Sequence, residues 1–528
     1  MIEDLADTGG SRQIETDVCV VGSGAAGLAF TREFLGTRTR LLVLESGGLE
    51  REPEVESLNE GHNVGVLNLG LMEGRRRVLG GTTDVWPGGC VPLTELDLSV
   101  RPWVPFSGWP ISLSDIHPYY RRAADLLHVP FGVFHQDVWS AIGVDGLHFD
   151  EDLLSHFIAV YSPRPHRFFG MALRRDLERS TNINVLLHAN ATDLRTDPAG
   201  TTVEGLEARA LTGQRMEVRA RVFVLACGGF ENARLLLLSR SLETAGVGNR
   251  HDLVGRFFQD HPHAYTATVD TDCPAELQKR YGASYGGFPP KPRPYPKIRL
   301  SPELQEREGV LNSAGTIVWD IDPQAGEAGL VRIFRAMRSS KPTLPREELR
   351  KILRDGGGTA RFIGRYLRGR ASITPPTSMS LLNAAEQAPN RESRILLDDA
   401  RDAFGLPQVR LDWRLTELDR RTAEVMATTV GRELQRLDIA RLDVAEWLER
   451  GADDWSANVF GAFHPSGTTR MSSDPRAGVV DEHCAVHGMS NLHVVGSSVF
   501  ATSGYANPTF TIVALAIRLA DRVKLSLR

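Results

Sequence analysis

The chain has 528 residues, of which 41% are hydrophobic, and its 61 basic and 66 acidic residues leave a formal net charge of −5. This length and composition predict a globular protein with a core large enough for two or three lobes. The near balance of charge excludes a strongly basic nucleic-acid binder and gives no reason to expect an anionic membrane as partner, so a small-molecule substrate is favoured.

The cysteines and the N-terminal residues indicate the cellular compartment in which the protein works. Five cysteines stand far apart without a CxxC pair, which indicates neither a disulfide framework nor a zinc site. The opening stretch MIEDLADTGGSRQIETD is polar and acidic, and no uncharged apolar run reaches the roughly 18 residues that a spanning helix needs. We therefore expect a cytoplasmic protein that uses no membrane, no nucleic acid and no metal ion.

A nucleotide-binding pattern occupies the front of the chain. The run DVCVV at residues 17–21 predicts a buried strand, the turn GSGAAG follows at residues 22–27, and LAFTREFLG predicts a helix. Gly22 permits the tight turn, Gly24 lets backbone amides approach a pyrophosphate, and Gly27 lets the helix pack closely on the strand. The N-terminus of the helix then faces the phosphates.

A second predicted strand, RLLVLES at residues 40–46, carries an acid where a dinucleotide requires one. Glu45 follows Gly27 by eighteen residues, and its carboxylate can accept hydrogen bonds from an adenosine ribose. A 2′-phosphate would instead require an arginine. The pattern predicts dinucleotide binding and leaves FAD and NAD as candidates.

Two later segments predict that the chain returns to this nucleotide domain. RARVFVLACGGFENARLLLLS, residues 219–239, predicts a buried strand, a turn of small residues and a helix, although taken alone it could be any βα unit. Residues 491–523 again predict a strand, a glycine turn and an apolar helix. We therefore expect an α/β protein whose nucleotide domain is interleaved with a second lobe.

The middle of the chain predicts that second lobe. AYTATVD, GVLNSAGTIVWDID and the pair SRILLDD and PQVRLDWRL predict strands, and ELDRRTAEVMATTVGRELQRL predicts an amphipathic helix, which together suggest a sheet backed by helices. The basic segment 334–371, with its triple glycine, predicts a solvated pair of helices around a flexible joint; a mobile lid or a docking face for an acidic partner are the alternatives. The proline-rich residues 286–300 predict an ordered loop or an oligomer contact.

One histidine in FGAFHPSGTTRM, residues 460–471, raises the question of catalysis. A lone histidine beside an aromatic residue is more often a satisfied core or loop side chain than a catalytic group. Pro465 restricts His464 to extended backbone, so the ring is presented from a loop, and Gly467 lets the chain turn closely. His261 and His263 in QDHPH resemble a metal pair, but no third ligand accompanies them, so no metal site is expected.

Several motifs occur together in one order along nearly the whole chain: VVGSGAAGLAF with Glu45, VLGGTT at residues 78–83, VGRFFQDHPH at 254–263, EQAPNRESRILL at 386–397, FHPSGTTRM and YANPTFTIVALA. In this order they resemble the glucose-methanol-choline (GMC) oxidoreductases, which implies FAD. The stretches GGTTDVW and HPSGTTRM are similar to the sugar-oxidising branch, the pyranose oxidases and bacterial glycoside 3-oxidases.

The resemblance also assigns domains and residues. It implies an FAD-binding domain of residues 1–95, 185–263 and 475–528 and a substrate-binding domain of residues 96–184 and 264–474. The residues it implies at the cofactor are Gly22, Ser23, Gly24, Ala26, Gly27, Glu45, Gly80, Gly81, Thr82, Ala191, Ala226, Gly496, Asn507, Pro508 and Thr509. Where pyranose oxidases carry a histidine linked to the flavin, this chain has Val85, which implies non-covalent FAD.

The resemblance makes His464 the base that removes the hydroxyl proton and Asn507 its partner. Neutral imidazole can accept such a proton, and an amide donor can stabilise the developing alkoxide. Capping of the helix that follows is the alternative for Asn507. The implied reaction is oxidation of a secondary ring hydroxyl of a pyranose sugar or glycoside, with oxygen as acceptor.

Two other functions stay open on the sequence alone. One is a dehydrogenase of another alcohol that uses a quinone or protein acceptor. The other is a flavin-binding protein without catalysis, possible as a class but disfavoured because both His464 and Asn507 are present. The sugar, the ring carbon and the state of oligomerisation are not indicated.

Overall fold

The computed structural model describes residues 1–7, 11–282, 293–336, 346–367, 373–449 and 454–528. Of the loop predicted at 286–300, residues 286–292 lie outside the described residues, as do parts of the basic segment. The loop prediction is wrong for the rest, because Arg293–Leu300 forms a strand that pairs with its neighbours in a sheet. The described strands form three sheets. The helices have the following bounds: α1 Ala25–Arg32, α2 Pro53–Glu56, α3 Glu95–Leu98, α4 Leu113–Leu127, α5 Val138–Ile142, α6 Phe169–Arg179, α7 Gly228–Leu238, α8 Pro274–Tyr281, α9 Pro302–Glu308, α10 Gly326–Ala336, α11 Arg346–Arg354, α12 Gly356–Leu367, α13 Glu417–Arg436 and α14 Thr509–Ser526.

The first sheet is the predicted nucleotide sheet. Its strands, in spatial order, are β1 Ile2–Asp4, β7 Ile183–Leu187, β3 Leu41–Leu44, β2 Ser11–Val21, β10 Arg215–Leu225, β9 Val203–Arg209 and β8 Asn190–Thr196, and β19 Leu492–Val494 also pairs with β10. Six strands of this sheet run parallel to one another: β1, β7, β3, β2, β10 and β19. The remaining two are antiparallel, because β9 pairs antiparallel with β10 and β8 pairs antiparallel with β9. The central strands are continuous apolar runs because helices cover both faces of a parallel sheet.

The last helix closes this domain. Residues of α14 pack against α1 and α4, and Phe510, Ala514 and Ile517 are fully buried there. The chain thus returns to the nucleotide sheet through β10 and again through β19 and α14, as the sequence predicts. The α/β fold with a Rossmann-like domain interleaved with a second lobe is confirmed.

The second sheet belongs to the other lobe and is antiparallel throughout. Its strands, in order, are β17 Arg441–Val444, β11 Pro262–Asp270, β14 Pro376–Ala385, β13 Ser313–Ile321, β12 Arg293–Leu300, β6 Leu154–Tyr161 and β5 Gly89–Cys90, and β18 Phe460–Gly461 pairs with β11. Helix α13 packs on this sheet, and the Thr416–Asp419 capping box fixes its first turn.

Two expectations about the second lobe were wrong in detail. β15 Arg394–Arg401 and β16 Pro407–Asp412 do not join the large sheet; they pair with β4 Gly61–Asn63 in a separate small one. The triple glycine is not a joint between helices but the first turn of α12, where Asp355 Oδ1 accepts the Gly358 N–H at 2.9 Å.

The predicted division into domains stays a proposal. Most strands fall in the ranges expected for them, but β5 lies within residues 1–95 and pairs in the second sheet. Helix α4, from the range 96–184, packs on α14 of the nucleotide domain. Among the helices described, none combines the length and the apolar surface that crossing a bilayer requires.

Candidate active site

A cavity of about 700 Å³ lies between the nucleotide sheet and the second lobe. Its wall contains most of the predicted cofactor residues: Gly22, Ser23, Gly24, Ala26, Glu45, Gly81, Thr82, Ala191, Ala226, Gly496, Asn507, Pro508 and Thr509. Both predicted catalytic residues, His464 and Asn507, line the same cavity. The fold therefore brings together groups that lie up to 487 positions apart, from Gly22 to Thr509.

Gly27 and Gly80 lie behind the wall of the cavity. A Cβ at Gly27 would come within 1.9 Å of the Gly22 carbonyl oxygen, so only glycine lets α1 pack against the turn. The Gly80 N–H donates to the Ser23 hydroxyl at 3.2 Å. Both residues support the cofactor cradle instead of facing it.

The glycine turn fits a dinucleotide. A Cβ added at Gly24 would meet no atom within 4 Å, so the turn faces open space, and α1 begins at the next residue. Glu45 is buried and accepts the Ser23 N–H and the Gly47 N–H, each at 3.0 Å. Burial raises the pKa of its carboxyl, and these hydrogen bonds oppose that rise. The donors of the turn and the acid at the end of β3 match the needs of a pyrophosphate and a ribose.

The His464 ring is held by hydrogen bonds that fix where its protons lie. His261 Nε2 is 3.4 Å from the Ser503 carbonyl oxygen, which can only accept, so this nitrogen carries a proton. In a neutral His261 the Nδ1 atom then bears a lone pair. His464 Nδ1 lies 2.9 Å from it and must be the donor. The lone pair of His464 is therefore on Nε2.

His464 Nε2 faces the cavity beside an amide. Asn507 Nδ2 lies 3.5 Å from this nitrogen, and the N-cap residue of α14 is Pro508, not Asn507. The capping alternative for Asn507 thus finds no support, and the residue lines the cavity beside His464. A lone pair and an amide N–H that converge in this way can accept a proton from one hydroxyl and donate a hydrogen bond to its oxygen.

The backbone at His464 is anchored by Asp260. This carboxylate is fully buried, and its Oδ1 accepts the N–H groups of His261, Ala462 and His464 at 2.7, 3.1 and 2.9 Å. Burial raises the pKa of Asp260 to about 6, although the hydrogen bonds pull it down. One carboxyl group therefore ties β11 to the loop that presents the imidazole.

The histidines of the site are kept neutral. Burial, and then the like charges of His261, His263 and Lys297, hold the pKa of His464 well below its usual range. Burial lowers the pKa of His261 to about 4 and that of His263 to about 3. At pH 7 all three rings are unprotonated, so the lone pair of His464 is available.

An arginine cluster forms another part of the wall. Glu231 at the start of α7 pairs with Arg75 at 2.9 Å, Arg77 at 3.2 Å and Arg234 at 3.3 Å, and Arg234 also pairs with Asp402 at 2.5 Å. Burial alone would raise the pKa of Glu231, but the three guanidinium groups reverse this and lower it to about 2.

Sequence reasoning missed several of these residues. His261 and His263 were noticed, but only as an unlikely metal pair; no cluster of three or more His, Cys, Asp or Glu side chains fit for a metal occurs in the described part of the chain. Lys297 and Tyr161, which also line the cavity, had no motif around them. The QDHPH motif was the one signal that could have pointed to His261.

Comparisons with known proteins relate parts of the chain to one family. Residues 389–516 match the family described as GMC oxidoreductase, in its C-terminal part. The 2-methyl-1,2-propanediol dehydrogenase of Mycolicibacterium austroafricanum is 23% identical over 96% of this chain and 95% of its own length. The C-glycoside 3-oxidase of Arthrobacter globiformis is 34% identical over 25% of this chain and 24% of its length.

Other matches are partial or concern the fold alone. The fructose dehydrogenase large subunit of Gluconobacter japonicus is 26% identical over 59% of this chain, and the match spans about half (48%) of that relative. A fungal aryl-alcohol oxidase structure superposes with a TM-score of 0.58 at 16% identity, covering 97% of this chain and 99% of that one. Residues 389–516 thus carry the C-terminal part of the GMC oxidoreductase family, and the fold along nearly the whole chain is that of the solved oxidase structure.

Proposed function

We propose that the protein oxidises a secondary ring hydroxyl of a pyranose sugar or glycoside to a ketone, with non-covalent FAD as cofactor and oxygen as the electron acceptor. The observation that carries the proposal is the orientation of His464. Its Nε2 lone pair, fixed by the contact with His261, faces the cavity beside the amide of Asn507.

The chain supplies the proton chemistry. FAD, when bound, would supply the two-electron acceptor for the hydride that leaves the carbinol carbon. His464 Nε2 takes the hydroxyl proton as the C=O bond forms, and general-base catalysis of this kind contributes roughly 10² to 10⁴ in rate. Asn507 donates a hydrogen bond to the same oxygen while negative charge grows on it. Asp260 keeps the backbone of His464 in place during the step.

The cofactor is held by the residues of the turn and its surroundings. The turn Gly22–Gly24 and the N-terminus of α1 receive the pyrophosphate, and Glu45 receives the ribose hydroxyls. Val85 lines the cavity, and by the resemblance it stands where pyranose oxidases carry the histidine linked to the flavin. A valine side chain forms no such bond, which supports non-covalent binding.

The choice of a sugar rests on the motifs and on the relatives. GGTTDVW and HPSGTTRM resemble the sugar-oxidising branch, and two relatives are named for fructose and for a C-glycoside. The second candidate is a dehydrogenase with a quinone or protein acceptor. It is favoured by the match along nearly the whole chain to a dehydrogenase of a simple diol.

An anaerobic screen tests the proposal. The purified flavoprotein is mixed with monosaccharides, O-glycosides, C-glycosides and simple alcohols, and bleaching of the flavin absorbance is followed. Bleaching by sugars or glycosides, with peroxide formed on admitting air, supports the oxidase. Bleaching by simple alcohols alone overturns the sugar assignment, and dye reduction without oxygen uptake selects the dehydrogenase.

A further inference from the structure

One cation on the cavity wall has no counter-charge. Lys297 lies on β12, opposite Phe157 of β6, and its side chain lines the cavity with His263, His464 and Asn507. Among the described residues, no carboxylate lies within ion-pair distance of its ammonium group, and no hydrogen bond from it is formed. Burial lowers its pKa to about 8, so the group stays largely protonated at pH 7.

The carboxylates of the same cavity are engaged elsewhere. Glu231 and Asp402 are paired with arginines, and Glu45 accepts hydrogen bonds from Ser23 and Gly47. Glu73 lines the cavity but is exposed to solvent and forms no ion pair with the lysine in the described structure. A partly buried ammonium group without an anionic partner among the described residues is unfavourable, so its retention beside the reacting groups indicates that a ligand supplies the missing charge.

We infer that Lys297 forms a subsite for an anionic group of the substrate, so that the preferred substrate is a pyranoside that carries a carboxylate. This inference deepens the proposed function and rests on it. Lys297 lines the same cavity as His464 and Asn507, and its charge is one cause of the lowered pKa of His464, so one ligand can contact all three side chains. A charge-assisted hydrogen bond of this kind is worth about tenfold or more in affinity.

A matched pair of substrates tests the inference. Methyl β-D-glucopyranoside and methyl β-D-glucopyranosiduronate share their secondary ring hydroxyls and differ in a hydroxymethyl group against a carboxylate. With the FAD-loaded enzyme at pH 7, we expect the glucuronide to bleach the flavin with a kcat/KM at least about tenfold higher. Equal values, or a preference for the neutral glucoside, overturn the inference.

Variants of the lysine separate charge from packing. In Lys297→Met the two substrates should differ by less than about threefold, whereas Lys297→Arg should retain the preference for the glucuronide. Lys279→Met removes an exposed lysine outside the cavity wall and is the matched control. An unchanged preference in Lys297→Met would also overturn the inference.

The pH dependence gives an independent readout. The charge of Lys297 acts on His261, His263 and His464, which are neutral above pH 6.5, and Tyr161 lines the same cavity. The preference for the glucuronide should therefore fall as the pH rises through about 8 in the wild type. It should persist in Lys297→Arg, because the guanidinium group stays charged.

A binding measurement covers the case in which neither glycoside is oxidised, which would refute the proposed function. The melting temperature of the holoenzyme is then measured with each glycoside at equal concentration and ionic strength. A rise with the glucuronide alone, absent in Lys297→Met, supports the anionic subsite even so. Equal melting temperatures with both glycosides reject it.

Discussion

The cavity wall holds buried cations in two settings. Arg75, Arg77 and Arg234 have side chains only 7 to 14% exposed, and they share the carboxylate of Glu231. Lys297 lines the same cavity, is partly buried, and has no counter-charge among the described residues. The comparison shows that the chain neutralises its charges where they support the structure and leaves one open where a substrate is expected to bind.

The largest effect on the rate is expected at His464, the proposed base. Its ring is neutral, so it is neither a paired cation like the arginines nor an unpaired one like Lys297. His464→Ala removes the proton acceptor and should slow anaerobic flavin bleaching by about 10² to 10⁴, while the flavin stays bound. Stopped-flow absorbance measures the rate, and the visible spectrum reports the flavin content. His251→Ala, at an exposed histidine outside the cavity, is the control. Unchanged bleaching in His464→Ala would remove the residue from the mechanism.

Removing the anion of the arginine cluster should lower the folding stability more than the reaction rate. Glu231→Gln leaves three buried guanidinium groups without their shared anion and should cost about 3 to 5 kcal/mol of folding free energy. Thermal unfolding of the holoenzyme measures the loss, with Glu204→Gln on an exposed strand position as control. The pKa of Glu231 is lowered to about 2, so its contribution is present above its unfolded pKa near 4.5 and is lost as the pH falls toward 2.

If Glu231→Gln unfolds at the same temperature as the wild type, the cluster is not a stabilising one. The contrast with Lys297 would then fail, because paired and unpaired cations would be equally dispensable to the fold.

A smaller loss is expected from the amide beside the base. Asn507→Ala removes the donor to the developing alkoxide and should lower the rate of flavin bleaching by about 10². Asn507→Ser, which restores a donor of shorter reach, should recover part of it. Asn184→Ala, at an exposed position of β7, is the control. A purely structural role for Asn507 would instead lower the melting temperature without affecting the rate of the folded enzyme.

Two kinds of feature could be predicted from the sequence: elements formed by consecutive residues, and residues that stand in a family motif. The strand, turn and helix around Gly22 are consecutive in the chain, so residue pattern and glycine spacing were sufficient to predict them. His464 and Asn507 were predicted through the resemblance, and their convergence in one cavity fits that prediction. The assignment of their roles remains a proposal.

The features that were missed depend on contacts between distant residues. His261 meets His464 across 203 positions, and no local pattern indicates that the two rings touch. The pairing of β16 with β4 joins residues 409 to 411 with 61 to 63, so β15 and β16 were assigned to the wrong sheet. Lys297 lay in a segment predicted as a loop, and its place on the cavity wall appears only when β12 is paired with β6.

The smallest effect concerns the proton arrangement of the two histidines. His261→Leu removes the acceptor for His464 Nδ1–H, so part of the His464 population places its proton on Nε2 and cannot act as a base. We expect the bleaching rate to fall about tenfold. His261→Gln offers an amide oxygen as acceptor and should restore most of the rate. Equal rates in the two variants would show that packing and not tautomer selection explains the contact.

The pH profile of the wild type supplies the corresponding measurement. Because burial and neighbouring charges hold the pKa of His464 well below 6.5, the unprotonated form persists as the pH falls, and the acid limb of kcat/KM should lie below pH 6.5. An acid limb at or above pH 6.5 would contradict the neutral state assigned to the ring.

The same lowered pKa values destabilise the folded protein in acid, because histidines of the unfolded chain bind protons from pH 6.5 downward while the buried rings do not. The lone pair that the site keeps ready for a substrate is thus maintained by the same burial that leaves Lys297 in need of an anion.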